Sequence, residues 1–400
     1  MKCLKKLFIL LILCLLTFTV TQARRKRASV PHIPILGWYS IPPGEHATLE
    51  HYREMREAGF DYSFSHIYKY EDAIQALDLC AKVGMKSVFM CPELKTEPEK
   101  TVRRVMKHPG LGMYFLRDEP KTDEMQDLGD WGRRINAVDP KHPCYLNLLP
   151  GYGPEYEASL RAFSERIGLP QISFDHYPIN IIDGVEALGP TWYLNLELVS
   201  AEARRSGVPL WAFALSTPTP KESKDHVRFP MPTIEQLRLQ MYSDLAYGAQ
   251  LLQYFTYWCP HSGFAPMTRN GHRTHLYELV RELNQEIQQR AFVWAGGQVE
   301  RVSHLADTIP IGTHPLEQLP PHFLTVQNQK GSGLVSEISN GGRNFVMLLN
   351  TTYTREWHVC VETDDNVQLV RTDGTLAPAR CYDQLHILSP GNCEIFEVRK

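Results

Sequence analysis

What the chain lacks narrows it first. It has no C-x-x-C pair and no dense cysteine framework. There are nine cysteines in 400 residues, and Cys3 and Cys14 fall in the leader described below, so the others read as mostly buried thiols. Cys381 and Cys393 are the pair that an oxidising compartment would let join. There is no charge excess. Lys plus Arg number 42 against 45 Asp plus Glu, a formal net charge of −3 with both signs interspersed. That argues against a nucleic-acid surface or a basic membrane patch. No G-x-G-x-x-G or G-x-x-x-x-G-K-[ST] follows the first apolar strand, so nucleotide binding has no support. No H-x-H pair ends that strand, no H-E-x-x-H lies on a helix and no G-x-S-x-G elbow is present. The expectation is therefore chemistry without metal, cofactor or a serine nucleophile. There is no low-complexity tract.

The first residues carry a sorting signal. Lys2, Lys5 and Lys6 precede an almost unbroken apolar run from Leu7 to Val20, and Thr21-Gln22-Ala23 supplies small residues where a signal peptidase reads. The run is short for a bilayer span, so residues 1–23 are expected to be a cleaved signal peptide, with a membrane anchor as the alternative. Residues 24–32 form a charged, flexible lead-in. The expected location is exported: periplasmic, cell-surface or extracellular, with no transmembrane segment after cleavage.

Residues 33–297 alternate short apolar runs with amphipathic stretches. Eight runs stand out: Ile33–Ile41, Phe60–Ile67, Lys86–Cys91, Gly112–Leu116, Cys144–Leu149, Gln171–Phe174, Pro209–Leu215 and Leu251–Tyr257. Each is continuously apolar or aromatic, as a parallel strand buried on both faces must be. The intervening stretches have helical spacing, and several stop at glycine. Eight β/α alternations predict a (β/α)8 barrel. From residue 298 to 400 the pattern changes to alternating runs separated by Asn340-Gly341-Gly342, Asp373-Gly374 and Pro390-Gly391. That predicts a small all-β sandwich.

In such a barrel, function gathers where the strands end at their carboxyl side. There the sequence places Trp38 and Tyr39, His66, Glu93, Asp118 and Glu119, Asn147, Asp175, His176 and Tyr177, then Tyr257 and Trp258. Carboxylates, amides and histidines mixed with large aromatics suit a sugar: pyranose C–H faces stack on rings while hydroxyls need polar partners. Each residue also has a structural use. Asp118-Glu119-Pro120 suits a helix start, tryptophans often cap cores, and the two histidines serve as hydrogen-bonding residues in many folds.

The segment Tyr114-Phe115-Leu116-Arg117-Asp118-Glu119-Pro120 is similar to the fourth-strand signature of clan A glycoside hydrolases, in which an Asn-Glu-Pro-like tripeptide carries the acid/base glutamate. Asp118 takes the Asn place. Asp175-His176-Tyr177-Pro178 is similar to the clan's sixth-strand His-x-Tyr region, and Trp258 matches the aromatic platform after its eighth strand. Residues 33–400 together resemble secreted bacterial glycosidases described as similar to glycoside hydrolase family 42. The resemblance implies a carbohydrate substrate and Glu119 as proton donor. It breaks at the seventh strand, where the clan carries a nucleophilic glutamate and this chain runs into Ser216-Thr217. The second carboxyl group then comes from Asp175, a fourth-and-sixth-strand pair similar to clan D, from Glu93, or from Glu222 or Asp225 in the following loop. Failing those, the barrel only binds glycan.

The expected mechanism has Glu119, its pKa raised by apolar burial and nearby carboxylates, protonating the glycosidic oxygen. Asp175 attacks or activates water, with His176 and Tyr177 orienting it. Trp38 and Trp258 wall the sugar, while Tyr39, His66, Glu93, Asp118, Asn147 and Tyr257 complete the binding set.

Overall fold

The computed structural model describes residues 30–220, 223–224, 226–259, 264–379 and 384–399. The expected signal peptide, most of the lead-in, Glu222, Asp225 and Cys381 lie outside them.

The apolar runs form the inner sheet. Its strands are β1 (Ile35–Trp38), β2 (Tyr62–Ser63), β3 (Lys86–Phe89), β4 (Leu111–Asp118), β5 (Cys144–Asn147) and β6 (Ile172–Phe174). After a hairpin, β7 (Ile179–Ile182) and β8 (Val185–Leu188), come β9 (Leu210–Leu215), β10 (Val227–Arg228) and β11 (Ala249–Phe255). The sheet order is β5-β4-β3-β2-β1-β11-β9-β6, and its neighbours pair in parallel. Its two edges meet. Leu148 bridges Phe174, with the Leu148 N–H donating to the Ser173 carbonyl at 2.9 Å and the Asp175 N–H donating to Leu148 at 3.2 Å. The expected barrel is present.

Alternation within the strands builds two apolar layers. Inward residues such as Leu36, Trp38, Phe64, Met113, Phe115, Tyr145 and Phe213 fill the barrel. Outward ones such as Ile35, Tyr114 and Leu252 pack under the helices. A barrel of eight strands is just wide enough for side chains to fill, and here aromatic rings do so. The Trp38 ring centroid lies 4.4 Å from Phe64 and 5.5 Å from Phe213. Helices return the chain between strands. The helix Leu49–Glu57 starts at Thr48, whose hydroxyl accepts from the His51 N–H at 3.3 Å. The helix Tyr70–Val83 stops at Gly84 in the left-handed region, the stop that its sequence signals.

The second domain carries β12 (Gln298–Leu305), β13 (Phe323–Lys330), β14 (Gly333–Asn340), β15 (Arg343–Asn350), β16 (Trp357–Thr363), β17 (Val367–Val370), β18 (Leu376–Pro378), β19 (Leu385–Leu388) and β20 (Cys393–Val398). One sheet runs β12-β14-β15-β20-β17-β18 and the other β13-β16-β19, enclosing Phe323, Val335, Leu348, Trp357 and Phe396. The expected sandwich is present. Buried Arg290 joins it to the barrel, donating to the Tyr242 hydroxyl at 2.6 Å and lying 3.7 Å from the Cys393 sulfur. The Ser336 hydroxyl donates to the Ala246 carbonyl at 2.7 Å.

A fourth sheet, the antiparallel β10-β7-β8, was not anticipated. Its hairpin turns at Asp183-Gly184, with φ of 51° and 80°. Two left-handed residues in a two-residue loop define a type I′ turn, for which Asp-Gly is a standard sequence signal. The sheet ties the loop after β6 to the loop after β9.

Candidate functional site

The site forms where β4, β5 and β6 end. Asp118, last in β4, stands in register with Asn147, last in β5. The Glu119 N–H donates to the Asn147 carbonyl at 2.9 Å. Glu119 has a φ of 47°, and Tyr39, just past β1, one of 41°. Non-glycine residues rarely enter this region, and holding one there costs about 1–3 kcal/mol. Both departures fall at one rim of the barrel, where the backbone bends to aim side chains.

Asp175, just past β6, joins this group. The Asn147 amide donates to its carboxylate at 2.7 Å and also favours the ionised form of Asp118. The Tyr177 hydroxyl favours the ionised form of Asp175 as well. Asp118, Glu119 and Asp175 therefore gather around one amide, within electrostatic reach of one another.

Burial and mutual repulsion disfavour their ionisation. The Asp175 carboxyl is pushed up to about 7, first by burial and then by the charge of Glu119, against the pull of Asn147. The Asp118 carboxyl is pushed up to about 6 by burial and by Glu119. The expectation had placed the buried, proton-holding acid at Glu119. Glu119 is exposed, so the apolar burial invoked for it is not there, and the desolvation falls on Asp175 instead. Arg117 turns outward and pairs with Glu124 at 3.3 Å.

The other expected residues divide. Tyr39 and His66 sit beside the cluster, with ring centroids 5.2 Å apart. Asp118 raises the Tyr39 hydroxyl after burial does, and burial lowers the His66 imidazole. His176 instead faces the helix Trp192–Ser206, its Nδ1 donating to the side-chain Oδ1 of Asn195 at 3.0 Å. Glu93 lies near the start of the helix Pro92–Thr96 beside the Cys91 thiol. It does not join the three acids.

The two aromatic walls and Tyr257 are corrected. Trp38 is 2% exposed and belongs to the barrel's inner packing. Trp258 is 4% exposed and packs against His46 and His51, with centroids at 5.1 and 5.0 Å. Tyr257 is fully buried on the outer side of the sheet, 5.0 Å from Phe60. Rings this large, on strands whose neighbours close over them, are used as core.

What sequence reading missed lies inside and beside the barrel. Ser173 and Gln253 are polar residues in apolar strands, and Tyr145 is a phenol among them. That interruption was the visible signal. Beside the cluster opens a cavity of about 770 Å3. Asp118, His66, Tyr68, Lys95 and Trp131 line it, while Glu119 and Asp175 do not. Tyr68 is 70% exposed at its edge.

β9, the seventh barrel strand, ends without an acid. The Ser216 hydroxyl donates to the Thr256 carbonyl at 2.7 Å and the Thr217 hydroxyl to Phe264 at 2.6 Å. Among the described residues, no group of three or more His, Cys, Asp or Glu side chains is arranged to hold a metal. No helix among them is long and apolar enough to cross a membrane.

No protein-family model matches the chain, and no curated protein does. Solved structures do. A family 42 β-galactosidase of G. stearothermophilus, solved as a catalytic mutant, is similar with a TM-score of 0.57 at 10% identity, over 93% of this chain and 99% of that one. A glycoside hydrolase family 5 protein of Bacteroides vulgatus is similar with a TM-score of 0.57 at 12% identity, over 94% and 90%. A β-galactosidase from the psychrophilic Marinomonas ef1 has a TM-score of 0.49 at 10% identity; the chain covers 60% of that protein's length. At these identities the likeness to the two structures with TM-scores of 0.57 shows a shared fold alone.

Proposed function

We propose that this protein is an exported glycoside hydrolase that cleaves O-glycosidic bonds by carboxylic acid catalysis. One observation carries the proposal: three carboxyl groups converge at the carboxyl-side rim of a barrel, and one is driven to titrate near neutrality. Glycoside cleavage needs one carboxyl group that still holds a proton at the working pH and a second that attacks or activates water. Asp175, pushed up to about 7, fits the first need. Glu119, exposed at the mouth, is placed to reach the sugar as the second. The roles expected from sequence are thereby exchanged, because burial selects the donor. The cavity beside Asp118 offers room for a neighbouring sugar ring, with Tyr68 at its edge as a stacking surface. The barrels it resembles include glycoside hydrolases of families 42 and 5, which supports the reaction class. The amino-terminal leader supports export.

The test is release of aryl or reducing sugar from a panel of glycosides. Glu119→Gln and Asp175→Asn should each slow release by several orders of magnitude while leaving the folded circular dichroism spectrum intact. Undiminished turnover in either variant removes that residue from the mechanism. A second reading, a glycan-binding protein on the same scaffold, is favoured by the acid-free end of β9. Saturable sugar binding by the wild type with no product from any glycoside would establish that reading instead.

A further inference from the structure

We infer that Asn147 is a positioning residue that holds the Asp175 carboxyl group in its place within the acid cluster, and that a one-way hydrogen-bond relay through the barrel interior fixes which way its amide points. The inference rests on the reading of Asp118, Glu119 and Asp175 as the working acids.

Asn147 meets the acid cluster by two groups. Its backbone carbonyl accepts from the Glu119 N–H at 2.9 Å. Its side-chain amide donates to Asp175 at 2.7 Å and favours the ionised form of Asp118. The amide has two ends, and only the NH2 end donates. Were it turned over, its oxygen would face carboxylates, and the arrangement would repel instead of bind.

Three interior residues settle the choice. The Tyr145 hydroxyl donates to the Gln253 Oε1 at 2.6 Å. The Gln253 Nε2 donates to the Ser173 oxygen at 2.9 Å. The Ser173 hydroxyl, its oxygen thus engaged, donates to the Asn147 Oδ1 at 2.9 Å. Tyr145, Asn147, Ser173 and Gln253 are all buried, so no water competes for these groups, and an unmade bond there would be expensive. The relay crosses β5, β11 and β6, and every donor in it points toward the acids. A polar chain threaded through an aromatic barrel core has little packing purpose. It serves the group at its end.

Its effect has a definite sign. Donation to an ionised carboxylate favours the ionised form. Asn147 therefore opposes the burial, and the charges of Glu119 and Asp118, that push Asp175 up. The other groups facing Asp175 are the phenols of Tyr145, Tyr156 and Tyr177. Arg117 and Tyr39 act on Asp118.

The experiment titrates carboxyl-13C-labelled aspartate by NMR in the wild-type chain, in Asn147→Ser, in Ser173→Ala and in the remote Tyr145→Phe. It needs no turnover, so it stands whether or not the protein hydrolyses glycosides. We expect the Asp175 midpoint to rise by about one pH unit in Asn147→Ser, and by a smaller amount in Ser173→Ala and Tyr145→Phe. Where turnover is measurable, the alkaline limb of its pH profile should move by the same amounts. Midpoints that stay within 0.2 unit, roughly, in folded Ser173→Ala and Tyr145→Phe would overturn the relay. An unmoved midpoint in Asn147→Ser would overturn the positioning role. If Ser173→Ala does not fold, Tyr145→Phe decides the relay alone. Variants that show the shifts, together with a wild type that releases no sugar, would leave the relay standing and remove the hydrolase.

Discussion

At the residue scale, charge held against its preference is the main feature of the rim. Asp175 ionises near 7 in the folded chain and near 4 when unfolded. A carboxyl group raised on folding stabilises the fold fully below its unfolded pKa and loses that stabilisation as pH rises through the folded value. Stability should therefore fall between about pH 4 and pH 7 from this group, and Asp175→Asn should relieve the loss. The variant is expected to gain on the order of 2 kcal/mol over the wild type at pH 8 and almost nothing at pH 4. Urea denaturation at the two pH values measures the difference; an equal gain at both would show that ionisation is not its source. The same titration predicts that hydrolysis by a proton-donating Asp175 declines above about pH 7. A rate that keeps climbing to pH 9 would assign the proton to another group.

At the scale of elements, the fourth and sixth barrel strands carry the acids at or just past their ends, the fifth ends on Asn147 between them, and a short hairpin follows the sixth. That hairpin turns on Gly184 with a φ of 80°, a conformation that disfavours any Cβ. Gly184→Val should destabilise the hairpin by about 1–2 kcal/mol. Faster amide exchange confined to 179–188, with the barrel strands unchanged, is the expected result; loosening of β6 along with it would show that the hairpin also supports the rim. The Asp-Gly pair marking this turn was legible in the sequence. The strands on either side were not, because Ile179-Asn180-Ile181-Ile182 and Val185-Glu186-Ala187-Leu188 are too short for a clear period. A different limit hid β12 and β13, each eight residues long: their charged and amide residues break the apolar pattern that reveals strands.

At the scale of the whole molecule, the sandwich is fastened to the barrel by polar side chains placed within apolar packing. Arg290, at the end of a barrel helix, is buried against Tyr242, Trp294 and the Cys393 sulfur of the second domain. Removing one member of such a cluster leaves buried polar groups unmatched. Arg290→Leu should lower stability by about 2–4 kcal/mol and separate thermal unfolding into two steps. A single transition at the wild-type temperature would show that apolar packing alone couples the domains.

The sequence by itself determined the architecture and the rim. Continuous apolar runs admit only strands buried on both faces, eight of them alternating with helices specify the barrel, and the turn-rich tail specifies the sandwich. The order of strand ends also placed Asp118, Glu119, Asn147 and Asp175 on one side, since every strand in the barrel runs the same way. Tertiary structure alone decided what each residue does there. Burial is a property of neighbours brought from distant parts of the chain, so the sequence had no means of showing that Asp175 is enclosed and Glu119 exposed. For the same reason Trp38 and Trp258 became core instead of sugar walls. The link from Tyr145 through Gln253 and Ser173 to Asn147 joins residues up to 108 positions apart. Only the closing of the barrel puts them in line.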